Sequence, residues 1–326
     1  PMPKDKTNIY QEFRSRLQEG SIMPYDEFIN LALYHPTVGY YTKQKERVGK
    51  NDNSDFYTSN SIGAPWGEMI IDACTQILKH KDLKNYSFIE IAAEPECSIL
   101  NQIDHPFGSS ITYRLGDTIE IPQHSIVFSN EWLDAQPFKR FRFDATKKEW
   151  MEIGVSLFGD EFNECIFPTK KPTVFPAKSV DGYNVDWPTG AKEAINKIIS
   201  QRWSGLFLTF DYGLSRNAIL HERPDGTARG YYRHEIITDL LSQPGEQDLT
   251  CHLCWDELIE CLEKNNFGTP ELQTQESFLM HHSQNKIKSL FEQKNGSLNI
   301  EMQKLKELIH PQYLGNKFQA LWAIRD

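Results

Sequence analysis

Tyr86-Ser87-Phe88-Ile89-Glu90-Ile91-Ala92-Ala93-Glu94-Pro95-Glu96-Cys97-Ser98-Ile99-Leu100 opens as an apolar run that closes on an acid, then turns. Apolar runs of this length suit parallel strands buried on both faces. Two more lie downstream, Ile126-Val127-Phe128-Ser129 and Leu206-Phe207-Leu208-Thr209-Phe210, each ending in polar residues. Helical patterns lie around them: Pro24–Leu33, ended by His35-Pro36; Ala64–Leu78, with Trp66, Met69, Ile70, Ala73 and Ile77 inward; and Thr189–Trp203. Lys139–Val155 reads as a hairpin turning at Asp144-Ala145-Thr146-Lys147. A strand near Leu249–Leu253, helices near Asp256–Lys264, Lys286–Gln293 and Ile300–Ile309, and a last strand Phe318–Ile324 complete the chain. Strands alternating with helices predict an α/β protein with a doubly wound sheet. In such sheets the first strand-to-helix turn usually carries glycines, because the backbone takes unusual dihedrals and lets a ligand approach. Here Ala92–Glu96 contains none.

The chain of 326 residues is 39% hydrophobic and 25% charged, the balance of an ordinary globular protein. Its net charge of −10 argues against broad nucleic-acid binding, which needs a basic surface. No apolar run reaches membrane-spanning length, no signal-peptide pattern is visible, and Pro1 ahead of Met2 reads as a tag remnant. The six cysteines are scattered, which fits a reducing compartment, and the expected location is the cytoplasm. No repeat or low-complexity linker divides the chain. The expected organisation is an N-terminal helix and covering loop over 1–60, then a core over 61–326. That core carries an inserted hairpin (about 139–175) and a C-terminal helical elaboration (about 225–316).

Ligands of open α/β sheets bind outside the carboxyl ends of the strands. That rule selects Glu90 with Ala92–Glu96, then Ser129-Asn130-Glu131-Trp132-Leu133-Asp134-Ala135-Gln136-Pro137, then Asp211-Tyr212-Gly213. Asn130, Glu131 and Asp134 can orient a nitrogen nucleophile through hydrogen bonds. The plainer alternative is a helix start with Asn130 as cap and Glu131 favouring the dipole. Asp211-Tyr212-Gly213 also reads as a turn. Pro224–His234 mixes glycines, arginines and aromatics, and suits either a cover over a site or a surface loop. Cys251-His252-Leu253-Cys254 with Cys261, His281 and His282 invites a zinc reading, but no second close cysteine pair is present; buried reduced thiols are favoured and no metal site is expected. There is no phosphate loop, Gly-x-Ser-x-Gly or HExxH.

Taken together these segments resemble the MidA-type methyltransferases, which depend on S-adenosylmethionine and whose mitochondrial members act in assembly of respiratory complex I. The likeness rests on Leu31–Pro36 with Gly39-Tyr40-Tyr41, Asp55-Phe56-Tyr57-Thr58-Ser59, Gly67-Glu68-Met69 and Ser129–Ala135. It continues through Asp211-Tyr212-Gly213, Gly226-Thr227, Tyr232-Arg233-His234 and Pro244–Thr250, in family order from about residue 24 onward. The resemblance implies a class I methyltransferase (Rossmann-like) fold roofed by extra helices. It also implies methyl transfer to a protein side chain, arginine in the mitochondrial members. Glu90, Ala92, Ala93 and Glu94 would face the cofactor, with Asp117 near the adenine edge. Asn130, Glu131 and Asp134 would line the junction of cofactor and acceptor, and the loop carrying Asp55 and Tyr57 would close from the N-terminal side.

This chain departs from the family at the cofactor. Several glycines of the family are replaced by Ala92-Ala93-Glu94-Pro95-Glu96, and the approach to Asp55 reads Val48-Gly49-Lys50-Asn51-Asp52-Asn53-Ser54. No second strand ending in the ribose-binding acid is legible between Glu90 and Asn130, and Tyr113-Arg114-Leu115-Gly116-Asp117 reads as a later element. Glu94 and Glu96 add negative charge where a methionine carboxylate would lie. Two functions fit these features. One is a protein methyltransferase with a protein substrate. The other is a methyltransferase-fold binding or assembly protein that has lost cofactor binding.

Overall fold

A computed structural model describes residues 8–18, 20–43, 63–92, 98–233, 235–292, 298–310 and 317–326, without side chains at 298–302. The chain divides into two interleaved units. One takes Tyr57–Trp132, Ile195–Tyr212 and Leu258–Asp326; the other takes Pro1–Phe56, Leu133–Ala194 and Gly213–Glu257.

The first unit is built on six strands: β1 (Ser87–Ile91), β2 (Ser109–Tyr113), β3 (His124–Asn130), β4 (Ser204–Asp211), β5 (Glu271–Thr274) and β6 (Gln319–Arg325). Their order across the sheet is β5-β6-β4-β3-β1-β2. β1 to β4 run parallel, while β6 is antiparallel to both β4 and β5. The apolar runs in β1, β3 and β4 are almost wholly buried, as strands covered on both faces must be. Side chains alternate across the sheet, so Phe88, Ile126, Phe128, Leu206, Leu208 and Phe210 share one face. That face packs on helix α1 (Ala64–Ile77) through Trp66, Met69, Ile70, Ala73 and Cys74. Phe278 and Leu279 of α2 (Gln275–His282), Leu290 of α3 (Gln284–Glu292) and Leu305 and Leu308 of α4 (Leu298–Ile309) extend the same core.

β2 corrects the sequence reading. A second parallel strand does exist, paired with β1 from Ser87↔Ser109 to Ile91↔Tyr113. It is polar, short and at the sheet edge, so it lacks the apolar signature of the buried strands. No acid stands at its end. Among the described residues no helix joins β1 to β2; residues 98–103 form turns instead. Gly67 explains how they fit, because a Cβ there would collide with the Ile99 carbonyl oxygen.

The helix read over Thr189–Trp203 stops at Ile199. The guanidinium of Arg325, from β6, donates to the carbonyls of Ile199, Gln201 and Trp203 and so fixes a non-helical exit. The strand expected near Leu249–Leu253 is two pieces, Asp248–Thr250 and Leu253–Cys254, in different small sheets.

The second unit has its own sheet: Met23–Pro24, Glu149–Phe158, Lys139–Asp144 and Asn184–Trp187, with Glu161–Pro168 paired back on Glu149–Phe158. The hairpin closes at Asp144↔Glu149. Helix Tyr25–Tyr34 buries Tyr25, Phe28, Ile29, Ala32 and Leu33, and ends at His35 in an extended conformation, as a residue before proline must. These side chains form a core with Phe138, Ile153, Val155 and Leu249.

Candidate active site

At the carboxyl end of β1, Glu90 is 2% exposed. Its carboxylate accepts from the Ser98 hydroxyl at 2.8 Å and from the Ile99 N–H at 3.1 Å. The acid at the first strand's end thus holds the far side of its own loop. Ala92 comes next with φ 57°, in the left-handed region where glycine is the usual occupant. The turn that sequence reading found stripped of glycine still demands a glycine-like backbone at its start.

At the end of β2 the polar groups are occupied locally. Tyr113 donates its hydroxyl to the Glu120 carbonyl at 2.6 Å. Asp117 is exposed and accepts from the Arg114 N–H at 2.7 Å, closing a tight turn with Gly116 at φ 92°. Asp117 therefore works first as a turn residue.

The end of β3 is different. Ser129 and Thr209 share a buried hydroxyl–hydroxyl bond of 2.8 Å. Asn130, 7% exposed, donates its amide N–H to Glu131 Oε1 at 3.1 Å, and its own carbonyl oxygen is buried with no hydrogen-bond partner among the described residues. Glu131 sits at φ 50° with its N–H on the Phe210 carbonyl. A non-glycine residue held there costs on the order of 1–3 kcal/mol, and such strain concentrates at functional sites. The fully buried Asp211 at the end of β4 accepts from the N–H of Tyr212 at 2.9 Å.

Asp134 belongs to the other unit and is described there alone. It is buried, and its backbone carbonyl accepts from Cys251 N–H at 3.2 Å. Tyr41 donates to the buried Asp248 carboxylate at 2.7 Å, and Tyr34 to the Ala135 carbonyl at 2.8 Å. Burial first, then the neighbouring Asp248 and Asp134 carboxylates, push both tyrosine hydroxyls well above their ordinary range. They remain neutral donors. Ala93, Glu94, Asp55 and Tyr57, also selected from sequence, lie outside the described residues, as does His234.

Residues 61–272 match the sequence family described as "Putative S-adenosyl-L-methionine-dependent methyltransferase". The chain belongs to this family. Two crystal structures of COG1565 superfamily proteins from Burkholderia thailandensis have the same fold. One, bound to S-adenosyl-homocysteine, is 18% identical with a TM-score of 0.84, over 97% of this chain and 92% of that one. The other, a native structure, is 17% identical with a TM-score of 0.81, over 97% and 91%. The doubly wound sheet described above is thus an α/β methyltransferase fold, and the MidA-like resemblance holds at the level of the family.

Sequence reasoning missed what holds the Gly226-Thr227 segment in this member of the family. The buried Asp186 carboxylate accepts from the N–H groups of Thr227 and Ala228, each at 2.7 Å, and pairs with Arg140 Nε at 2.7 Å. Gly226, at φ 73°, leaves no room for a Cβ against Asp186. The Pro224-Asp225-Gly226 turn was the only local signal, because Asp186 lies some forty residues upstream in the chain. Thr227 in turn accepts from His252 N–H at 3.2 Å. Burial lowers the His252 ring to a pKa of about 4. Cys251, Cys254 and Cys261 are reduced thiols and buried, and burial pushes the Cys254 thiol up to about 12. Among the described residues no group of three or more His, Cys, Asp or Glu side chains could hold a metal ion, and no helix is long and apolar enough to cross a membrane.

Proposed function

We propose that this chain transfers the methyl group of S-adenosylmethionine to a nitrogen on a protein side chain, arginine by its likeness to the mitochondrial complex I assembly methyltransferase. The observation that carries this reading is the buried, unpartnered carbonyl oxygen of Asn130 at the end of β3. Buried polar atoms in native proteins are nearly always paired, and this one, without a partner among the described residues, is open to a donor on a ligand. It stands where ligands of open α/β sheets bind, beside the strained Glu131. The B. thailandensis protein of the same fold binds S-adenosyl-homocysteine, which supports the same cofactor class here.

The cofactor, when bound, supplies an activated methyl on a sulfonium, displaced in line by the nucleophile. The chain's own part is orientation. The family resemblance assigns Glu131 and Asp134 to the acceptor, and the high pKa of a guanidinium makes hydrogen-bond alignment more useful to it than deprotonation. By the family resemblance Glu90, Ala92 and Asp117 would face the cofactor; Ala93, Glu94, Asp55 and Tyr57, given the same role by that resemblance, lie outside the described residues.

Specific observations favour a second reading, a methyltransferase-fold binding protein without catalysis. Glu90 bonds its own loop, and β2 ends without a carboxylate free of turn duties. Calorimetric titration with S-adenosylmethionine and S-adenosylhomocysteine separates the two. Saturable heat is expected; none at millimolar ligand would rule out the enzyme. With binding established, Glu131→Ala and Asp134→Ala should each cut methylation of arginine-containing peptides by at least about tenfold. Activity equal to wild type would remove both residues from the site.

A further inference from the structure

Helices α2 and α3 meet at Ser283, and their junction is fixed from beneath. The Ser283 hydroxyl donates to the Met69 carbonyl of α1 at 2.8 Å in a fully buried position. Asp72 of α1 accepts from the Lys286 N–H at 2.9 Å and from the Asn285 amide at 3.2 Å, and Lys286 pairs with Glu68. Leu290 is buried in the core below. These anchors set which side of α3 faces outward.

Gln284, Ile287, Lys288, Phe291 and Glu292 recur at helical spacing and so share one side of α3. With Met280 of α2 they line an open, largely apolar groove of about 600 Å³. Two of its side chains reach outward: Phe291 is 65% exposed and Met280 47%. Lone apolar side chains at a surface are ordinary, but several converging on one groove mark a docking face. The face carries one charge of each sign. Lys288 and Glu292 stand a turn apart at 3.8 Å, both well exposed, and such a pair contributes little to the stability of the monomer.

A lysine one turn before a glutamate is its own complement when two such helices cross antiparallel about a twofold axis. Each Lys288 then faces the Glu292 of the other copy, and the contact is made twice. A projecting Phe291 also meets a groove on the same patch, as an isologous interface requires. A face of one charge sign, or a groove without a projecting side chain, would call for a different molecule. We propose that this face of α3 joins two copies of the chain, with Phe291 of each seated in the groove of the other and Lys288 paired with Glu292 across the axis. The proposal does not depend on methyl transfer, because it uses only the outer side of α2 and α3.

The test is sedimentation equilibrium of the full chain from about 1 to 500 µM, a range that covers the weak association expected of two short helices per copy. The unaltered chain should pass from monomer to dimer across that range. Phe291→Glu should raise the dissociation constant by about a hundredfold or more, and should leave the fold intact because the side chain is exposed. Lys288→Glu and Glu292→Lys should each weaken association by about tenfold, since each sets like charges against one another twice. Combining the two reversals should restore the affinity of the unaltered chain. A chain that stays monomeric throughout overturns the proposal and leaves the groove to a different protein. A dimer indifferent to Phe291→Glu overturns it as well, as does a double reversal that fails to recover what the single ones lose.

Discussion

Two of the non-glycine residues held in the left-handed backbone region end strands at the candidate site. Ala92 and Glu131 sit at φ 57° and 50°. An L-residue there costs about 1–2 kcal/mol, while glycine adds about 0.4–1 kcal/mol of unfolded-state entropy. Ala92→Gly should therefore raise stability by up to about 1 kcal/mol, read as a shifted urea midpoint at unchanged slope. Asp186 gives the opposite case. Asp186→Ala removes one of the two carboxylates on buried Arg140, leaving Glu164, and strips two N–H groups of their acceptor; it should cost about 2–5 kcal/mol in the same assay. His252 adds a pH dependence. Its folded-state pKa, about 4, lies below the ordinary 6.5, so the unfolded chain takes up the proton first. Stability should fall as pH drops from about 6.5 toward 4, by up to about 3 kcal/mol. Urea melts at pH 7, 5.5 and 4.5 should show this slope, and His252→Gln should flatten it.

At the scale of elements, the edge strand and the last strand matter most. β2 is polar and half-exposed, its crossover from β1 has no described helix, and the turn after it spends Asp117 on its own backbone. That is why the strand itself is not legible in the sequence: the periodicity that marks buried strands is missing from an edge strand. β6 is apolar and was legible. Its last residue, Arg325, was not recognisable as a clip, because the carbonyls it serves belong to residues 199–203 and 265. The guanidinium also lies against Trp203 and Phe267. Arg325→Ala should cost about 1.5–3 kcal/mol. It should speed amide exchange from Ile199 to Trp203 more than elsewhere. Uniform exchange along the chain would deny the clip its role.

For the molecule as a whole, any ligand that binds only the folded chain stabilises it by mass action. S-adenosylhomocysteine at a hundred times its dissociation constant should add about 2.7 kcal/mol and raise the melting temperature, and an unmoved transition across millimolar concentrations would speak for the non-catalytic reading. The class of the fold was readable from the chain alone. Three apolar runs closing on polar residues, alternating with helical patterns, specify a doubly wound sheet, because burial on both faces leaves a mark in consecutive residues. The same logic selected Asn130 and Glu131, since the residues closing a buried strand must lie at its carboxyl end. The sequence determined those local facts. Only the tertiary structure decided that β2 pairs with β1, that Asp186 grips Gly226-Thr227, that Glu90 turns back on its own loop, and that the oxygen of Asn130 is left buried without a partner among the described residues. Each of these depends on groups distant in the chain or on which atom of a side chain is already engaged. Neither distance in space nor hydrogen-bond satisfaction is encoded in local periodicity.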